Sequence, residues 1–212
     1  GREIADGGSA FVIPEGLQVA SAFDFAASGR SFVVTTTGRV FGRGAAPSGE
    51  LGSGSPALAT APPVEFVLPG GELAEQVIDA YGGTLVRTVS GHVYGAGEND
   101  WGQLGTGATT DTPTPVLVPV PEGETPTQIE SYRLAGYGSE TVTVVHTATG
   151  RVFRAGSRTS QASVVEFTLE DGVTASDVGV IDGPVMPYLW ALGDNGGLYT
   201  TSLYGEHATA SA

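Results

Sequence analysis

The feature that most constrains this chain is a repeat of about fifty residues, and such a period selects a small set of architectures. Thr35-Thr36-Thr37-Gly38-Arg39-Val40-Phe41-Gly42-Arg43-Gly44 returns as Thr88-Val89-Ser90-Gly91-His92-Val93-Tyr94-Gly95-Ala96-Gly97. It returns again as Thr147-Ala148-Thr149-Gly150-Arg151-Val152-Phe153-Arg154-Ala155-Gly156, and more faintly as Gly193-Asp194-Asn195-Gly196-Gly197-Leu198-Tyr199-Thr200. The aligned glycines Gly38, Gly91, Gly150 and Gly196 are 53, 59 and 46 residues apart. A second marker runs in phase, an apolar strand closing on a Pro/Glu/Gly turn. Its copies are Phe11–Gly16, Phe66–Gly71, Val118–Gly123 and Phe167–Gly172, with closing glycines 55, 52 and 49 apart. A period of about 50 is that of propeller blades, where one four-stranded sheet cannot bury its own faces and must stack on neighbours.

The pattern inside a repeat agrees. In repeat two, Gln76–Ala80, Thr84–Thr88, His92–Tyr94 and Pro115–Val120 are rich in β-branched and aromatic residues and are separated by Gly-Gly, Ser-Gly and a glycine-rich loop. No segment sustains a 3.6-residue apolar period beyond two turns, and 72–80, the best helical candidate, reads as turn plus strand beside its counterparts 127–132 and 175–180. The expected fold is all-β, a propeller segment of four-stranded blades with about four blades' worth of chain. The expected divisions are 1–16 as the end of a preceding blade, 17–71, 72–123 and 124–172 as repeats one to three, and 173–212 as the start of a fourth.

Gly91-His92-Val93-Tyr94-Gly95-Ala96-Gly97-Glu98-Asn99-Asp100-Trp101-Gly102-Gln103-Leu104-Gly105 is the most specific stretch. It resembles the repeat signature of the regulator of chromosome condensation family, in which a Gly-x-Val-Tyr strand leads into Gly-x-Asn-x-x-Gly-Gln-Leu-Gly. Repeat one keeps the frame at Gly42, Gly44, Gly49, Leu51, Gly52 and Gly54, with Ala46 for Asn99 and Glu50 for Gln103. Repeat three loses the Gly-Gln-Leu-Gly portion in Ser157–Gln161. The resemblance implies a seven-bladed β-propeller, which at this period needs on the order of 350 residues. The 212 residues here are therefore expected to be closed by further blades, from the same gene product or another subunit, the alternative being a divergent small propeller of four blades.

Most motif residues have a structural reading. The glycines permit positive φ and close backbone approach. Asn99 bonds loop backbone groups, and Trp101 and Leu104 are expected to pack between blades. Trp101, Arg39 and Arg151 are the candidates for contact with a partner, although among 23 acids an isolated arginine reads first as a local ion-pair partner or a satisfied loop donor.

Composition excludes several chemistries. There is no Cys and no Lys; nine Arg stand against 23 acids, giving a net charge of −14. Disulfides, thiolate zinc sites and a cysteine nucleophile are out, and a nucleic-acid surface is disfavoured because phosphate contacts require positive charge. The three histidines, His92, His146 and His207, form no metal-ligand spacing. Gly193–Gly197 reads as a hairpin turn rather than a calcium loop. No Gly-x-Ser-x-Gly elbow, phosphate cradle or carboxylate pair is present. No catalytic residue, metal site or cofactor is expected, and no apolar run approaches the ~20 residues of a membrane span. The expected function is a non-enzymatic binding scaffold for a protein partner, presented by loops such as 45–61 and 98–115. The acidic, Lys-free composition points to a bacterial protein that is secreted or displayed at the cell surface. Alternatives are an assembly subunit whose partial propeller closes with other chains and, by family resemblance, an inhibitor of an extracellular enzyme or a small-GTPase exchange factor.

Overall fold

The computed structural model describes residues 5–6, 9–59, 61–134, 140–156, 162–169, 172–181, 188–202 and 209–210. Gly1–Glu3, Ser157–Gln161, Glu170, Asp171 and His207 lie outside them. A two-stranded hairpin, β1 (Ala5–Asp6) and β2 (Ser9–Ala10), precedes four antiparallel sheets, each built from four consecutive strands. Blade 1 is β3 (Val19–Phe25), β4 (Arg30–Thr35), β5 (Val40–Gly44) and β6 (Val64–Phe66). Blade 2 is β7 (Ala74–Asp79), β8 (Gly83–Thr88), β9 (Val93–Gly97) and β10 (Thr112–Leu117). Blade 3 is β11 (Pro126–Arg133), β12 (Thr141–Thr147), β13 (Val152–Gly156) and β14 (Val165–Phe167). Blade 4 is β15 (Ala175–Ile181), β16 (Tyr188–Gly193), β17 (Leu198–Ser202) and β18 (Thr209–Ala210). The fold is all-β and made of propeller blades. Phe11–Pro14, one copy of the second marker, forms no strand, and Pro69–Gly71 is a single 3-10 turn before β7.

The blades share their local devices. The hairpin between second and third strands closes each time with two bonds, such as Gly38 N–H to Thr35 O and Thr35 N–H to Arg39 O at 2.9 and 2.8 Å, repeated at Gly91, Gly150 and Gly196. This geometry places the glycine at φ of 74, 86, 78 and 79° in the four copies, a left-handed conformation that glycine adopts without penalty. A register shift recurs near the start of every first strand, at Val19/Ser21, Ala74/Gln76, Pro126/Gln128 and Ala175/Asp177. Such bulges add local twist. Outer strands β6 and β14 have only three residues, and β10 carries Pro113 and Pro115, which donate no N–H, so these edges offer little to a foreign strand.

The chain divides into two compact units, Gly1–Asn99 with Thr110–Leu117 and Asp100–Thr109 with Val118–Ala212. In the first, Phe32, Val34, Val40, Leu51 and Phe66 of blade 1 pack on Ala74, Val77, Val86 and Ala96 of blade 2. In the second, Val142, Val144, Val152 and Phe167 of blade 3 pack on Ala175, Val178, Leu189 and Tyr199 of blade 4. Middle strands are accordingly buried on both faces, as in β9 and β13, whereas β3 alternates. Each unit also carries one backbone bond from a first strand to a turn glycine of the preceding blade, Ala74 N–H to Gly38 O and Ala175 N–H to Gly150 O.

Candidate functional site

In blades 1 to 3 the residue after the turn glycine projects beside the third strand's aromatic residue, because positions two apart share a face of a strand. In blade 1, Arg39 lies over Phe41 with its guanidinium carbon 5.0 Å from the ring centroid. Glu65 of β6, on the cross-strand partner position of Phe41, clasps it through Nε at 2.7 Å and Nη2 at 2.6 Å. Blade 3 repeats this: Arg151 lies 5.1 Å over Phe153, and Glu166, opposite Phe153, takes Nε at 2.7 Å and Nη2 at 2.5 Å. Glu124, just before β11, adds a third carboxylate contact, accepting from Arg151 Nη1 at 2.9 Å, Thr147 Oγ1 at 2.6 Å and Thr149 Oγ1 at 2.5 Å. A cation over an aromatic ring with a bidentate carboxylate is a specific arginine-holding geometry.

Blade 2 departs from the pattern at three places. His92 replaces the arginine, Tyr94 the phenylalanine, and Leu117 stands opposite Tyr94 where blades 1 and 3 have glutamate. The inner carboxylate remains: Glu72, the counterpart of Glu124, accepts from His92 Nδ1 at 2.6 Å and from Ser90 Oγ. The imidazole meets Tyr94 edge-on at 6.4 Å between centroids. Beside this group lies a cleft of about 630 Å³ lined by residues 69–73 and by Val89, Ser90 and Tyr94. Its rim is apolar, with Leu73 50% and Val89 67% exposed.

Hydrogen bonding sets the charges. Ser90 first, then His92, holds the Glu72 carboxyl below the ordinary range, so it is ionised at neutral pH. Arg39 does the same for Glu65 and Arg151 for Glu166. At Glu124, burial works to raise the pKa, but the bonds from Thr147, Thr149 and Arg151 outweigh it and the net shift is downward. Burial, then the field of Glu72, raises the Tyr94 phenol. Ser90, His92 and Glu72 have the residue types of a hydrolytic triad but not its geometry. Ser90 and Glu72 both face Nδ1, and Ser90 bonds Glu72 directly, whereas a triad places the hydroxyl on the other ring nitrogen. Among the described residues, no group of three His, Asp or Glu side chains is arranged to hold a metal, and no helix is long and apolar enough to cross a membrane.

Most of the signature loop is buried. Gly97, at φ 107°, leaves room that a side chain would lose, since a Cβ there would lie 2.6 Å from Glu50 Cγ and 2.9 Å from Gly82 O. Gly156 plays the same part under Gln103, whose Cα a Cβ would meet at 3.1 Å. Leu51 and Leu104 are buried, as are Gly49, Gly52, Gly102 and Gly105, and Gly44 precedes the loop of repeat one at the end of β5. Asn99 is buried, with its N–H on Asp111 Oδ1 at 3.0 Å, and Trp101 is half-buried, its N–H donating to Gln103 Oε1 at 3.1 Å. The Glu50-for-Gln103 exchange is compensated. Arg30 lies 3.4 Å from Glu50 and 2.8 Å from Asp79, all three at or near full burial. Burial nevertheless pushes Glu50 upward.

Arg39 and Arg151, expected as partner contacts, thus engage carboxylates of their own blades. The sequence reading missed Glu72, Glu124 and the clasping acids. A signal existed: Val64-Glu65-Phe66 and Val165-Glu166-Phe167 are identical tripeptides at equivalent positions, and repeat two lacks a third copy.

Residues 90–131 match the family model of the regulator of chromosome condensation (RCC1) repeat. This RCC1 match covers the signature loop and runs from the blade 2 hairpin into β11. Solved structures agree on fold. Human WBSCR16 matches with a TM-score of 0.63 at 18% identity, covering 89% of this chain and 48% of that one. Yeast RCC1 (Prp20), in its structure with Kap60, matches with a TM-score of 0.63 at 12% identity, covering 95% and 49%. A further structure of Prp20p from Saccharomyces cerevisiae matches at 0.62 and 14% identity, covering 95% and 51%. At these identities the likeness is one of fold, and the chain spans about half the length of the structures it matches.

Proposed function

We propose that this chain is a non-enzymatic protein-binding segment of an RCC1-like β-propeller, engaging its partner at the turn end of blade 2. The observation that carries this reading is the cleft there, with exposed Leu73 and Val89 on its rim and the ionised Glu72 within it. Exposed apolar side chains beside a concave polar site are characteristic of protein-contact surfaces. Prp20 is bound to Kap60 in one structure and was studied with Gsp1p and histones in another, which supports protein binding as a use of this fold without supplying the partner. The net charge of −14 favours a cationic partner. An extracellular or cell-surface location fits the Lys-free, acidic composition and is checked by fractionating the source cells.

The test is affinity capture from envelope and medium of the source cells, run in parallel with a Leu73→Asp/Val89→Asp variant whose folding is checked by circular dichroism. The expected result is a protein retained by the parent chain and lost with the variant. Equal retention by both contradicts the blade 2 assignment, and turnover of a substrate abolished by His92→Ala contradicts the non-enzymatic reading.

A further inference from the structure

The geometry points to the blade 2 cleft as a receptor for an arginine side chain supplied by a protein partner. This rests on the protein-binding reading above and names the chemistry that the cleft recognises.

The template is internal. Blades 1 and 3 show what this position of the repeat holds: a guanidinium over an aromatic ring, clasped by a carboxylate. Both blades supply that arginine themselves. Blade 2 keeps the aromatic floor as Tyr94, the inner carboxylate as Glu72 and the hydroxyl as Ser90, but replaces the arginine with the shorter His92. Among the described residues, no cation lies over Tyr94. Leu117, in place of the clasping glutamate, exposes apolar surface, as do Leu73 and Val89 at the cleft rim. Such surfaces suit the methylene stem of a long cationic side chain.

Glu72 has capacity for the additional donor. A carboxylate offers about four acceptor positions; Ser90, His92 and Thr88 engage three of them, which leaves one for a further donor. Glu124 provides the precedent, since it accepts from two hydroxyls and a guanidinium at once. Arginine rather than lysine is specified because a planar guanidinium can stack on the ring while its in-plane donors meet the carboxylate. A chain with 23 acidic residues and no lysine also attracts such a partner from a distance.

The probe is a blocked Leu-Arg-Leu peptide titrated into the isotope-labelled chain and followed by NMR. Lysine and citrulline versions serve as comparisons, citrulline being a neutral isostere of arginine. The arginine peptide is expected to perturb residues 69–73 and 89–94. The citrulline and lysine peptides are expected to bind about tenfold or more weakly, as is the arginine peptide to Glu72→Gln, since each loses a charge-assisted or stacking contact. His92→Arg/Leu117→Glu, which fills the cleft from within, is expected to abolish the perturbation. If that variant does not fold, Glu72→Gln and the citrulline comparison decide. Equal perturbation by arginine and citrulline peptides overturns the arginine assignment and leaves protein binding at the cleft standing. No perturbation of the cleft by any peptide also overturns it, while the capture experiment with Leu73→Asp/Val89→Asp judges the protein-binding reading separately.

Discussion

Blade 3 and blade 2 build the same hairpin from the same backbone bonds and put it to different uses. In blade 3 the turn end is closed on itself: Arg151 lies over Phe153 and is held by Glu124 and Glu166. In blade 2, Glu72 remains while arginine, phenylalanine and the outer glutamate have become His92, Tyr94 and Leu117. Blade 1 shows which part is sufficient. It has Leu17 where blades 2 and 3 have Glu72 and Glu124, yet among the described residues Glu65 and Phe41 hold Arg39. The outer-strand carboxylate thus separates a turn end that holds its own arginine from one that does not, while the hairpin's backbone bonds stay the same.

The contrast can be broken hardest at its aromatic floor. Phe153→Ala removes a fully buried ring from beneath Arg151 and is expected to cost roughly 3–5 kcal/mol in urea unfolding. Tyr94→Phe keeps the ring and is expected to leave stability near that of the parent. The next test exchanges the two turn ends. Arg151→His/Glu166→Leu gives blade 3 two of the three blade 2 residues and keeps Phe153 as the ring. It is expected to lose no more than about 1 kcal/mol, because partly exposed ion pairs contribute little, and to acquire binding of the arginine peptide near Glu124. Unchanged binding after this exchange would show that the clasp is not what closes the site.

A smaller effect concerns buried charge in the signature loop. Glu50→Gln installs the residue found at Gln103 and leaves Arg30 on Asp79. The folded-state pKa of Glu50 is raised, so its charge opposes folding at neutral pH, and this opposition fades as pH falls through that pKa. The variant is expected to match or exceed the parent by less than about 1 kcal/mol at pH 7, with the advantage shrinking on acidification. The smallest effect is the acid response of the clasps. Glu65, Glu124 and Glu166 have depressed pKa values, so their stabilisation is present above the unfolded value near 4.5 and is lost as pH falls through the folded values. Urea midpoints below pH 4.5 should therefore fall less steeply in Arg151→His/Glu166→Leu than in the parent chain.

Much of the fold was legible because its determinants are local. The turn glycines Gly38, Gly91, Gly150 and Gly196 appear in sequence as a period and in space as four matching hairpins, since a left-handed φ is a property of one residue. Strands such as Thr84–Thr88 announce themselves by β-branched composition. The site was not legible in this way. Glu72 meets Ser90 and His92 across 18 and 20 residues, and Arg30 meets Asp79 across 49. Those meetings depend on strand register and blade stacking, which composition does not encode. That Arg39 and Arg151 form local ion pairs could be expected among 23 acids, but which acids hold them appears only when Glu65 and Glu166 are paired to them by the β5–β6 and β13–β14 ladders. The repeated Val-Glu-Phe was in plain view, but its meaning lies in a cross-strand position.

The most direct test of the open-versus-closed account is an intermolecular nuclear Overhauser effect between the Tyr94 ring protons and the δ-methylene of the arginine peptide. The account predicts this contact in the parent chain. In His92→Arg/Leu117→Glu it predicts replacement by an intramolecular contact from the new arginine side chain at position 92. Contact of the peptide arginine with the Phe41 or Phe153 ring in place of Tyr94, or persistence of the peptide contact in the filled variant, would contradict it.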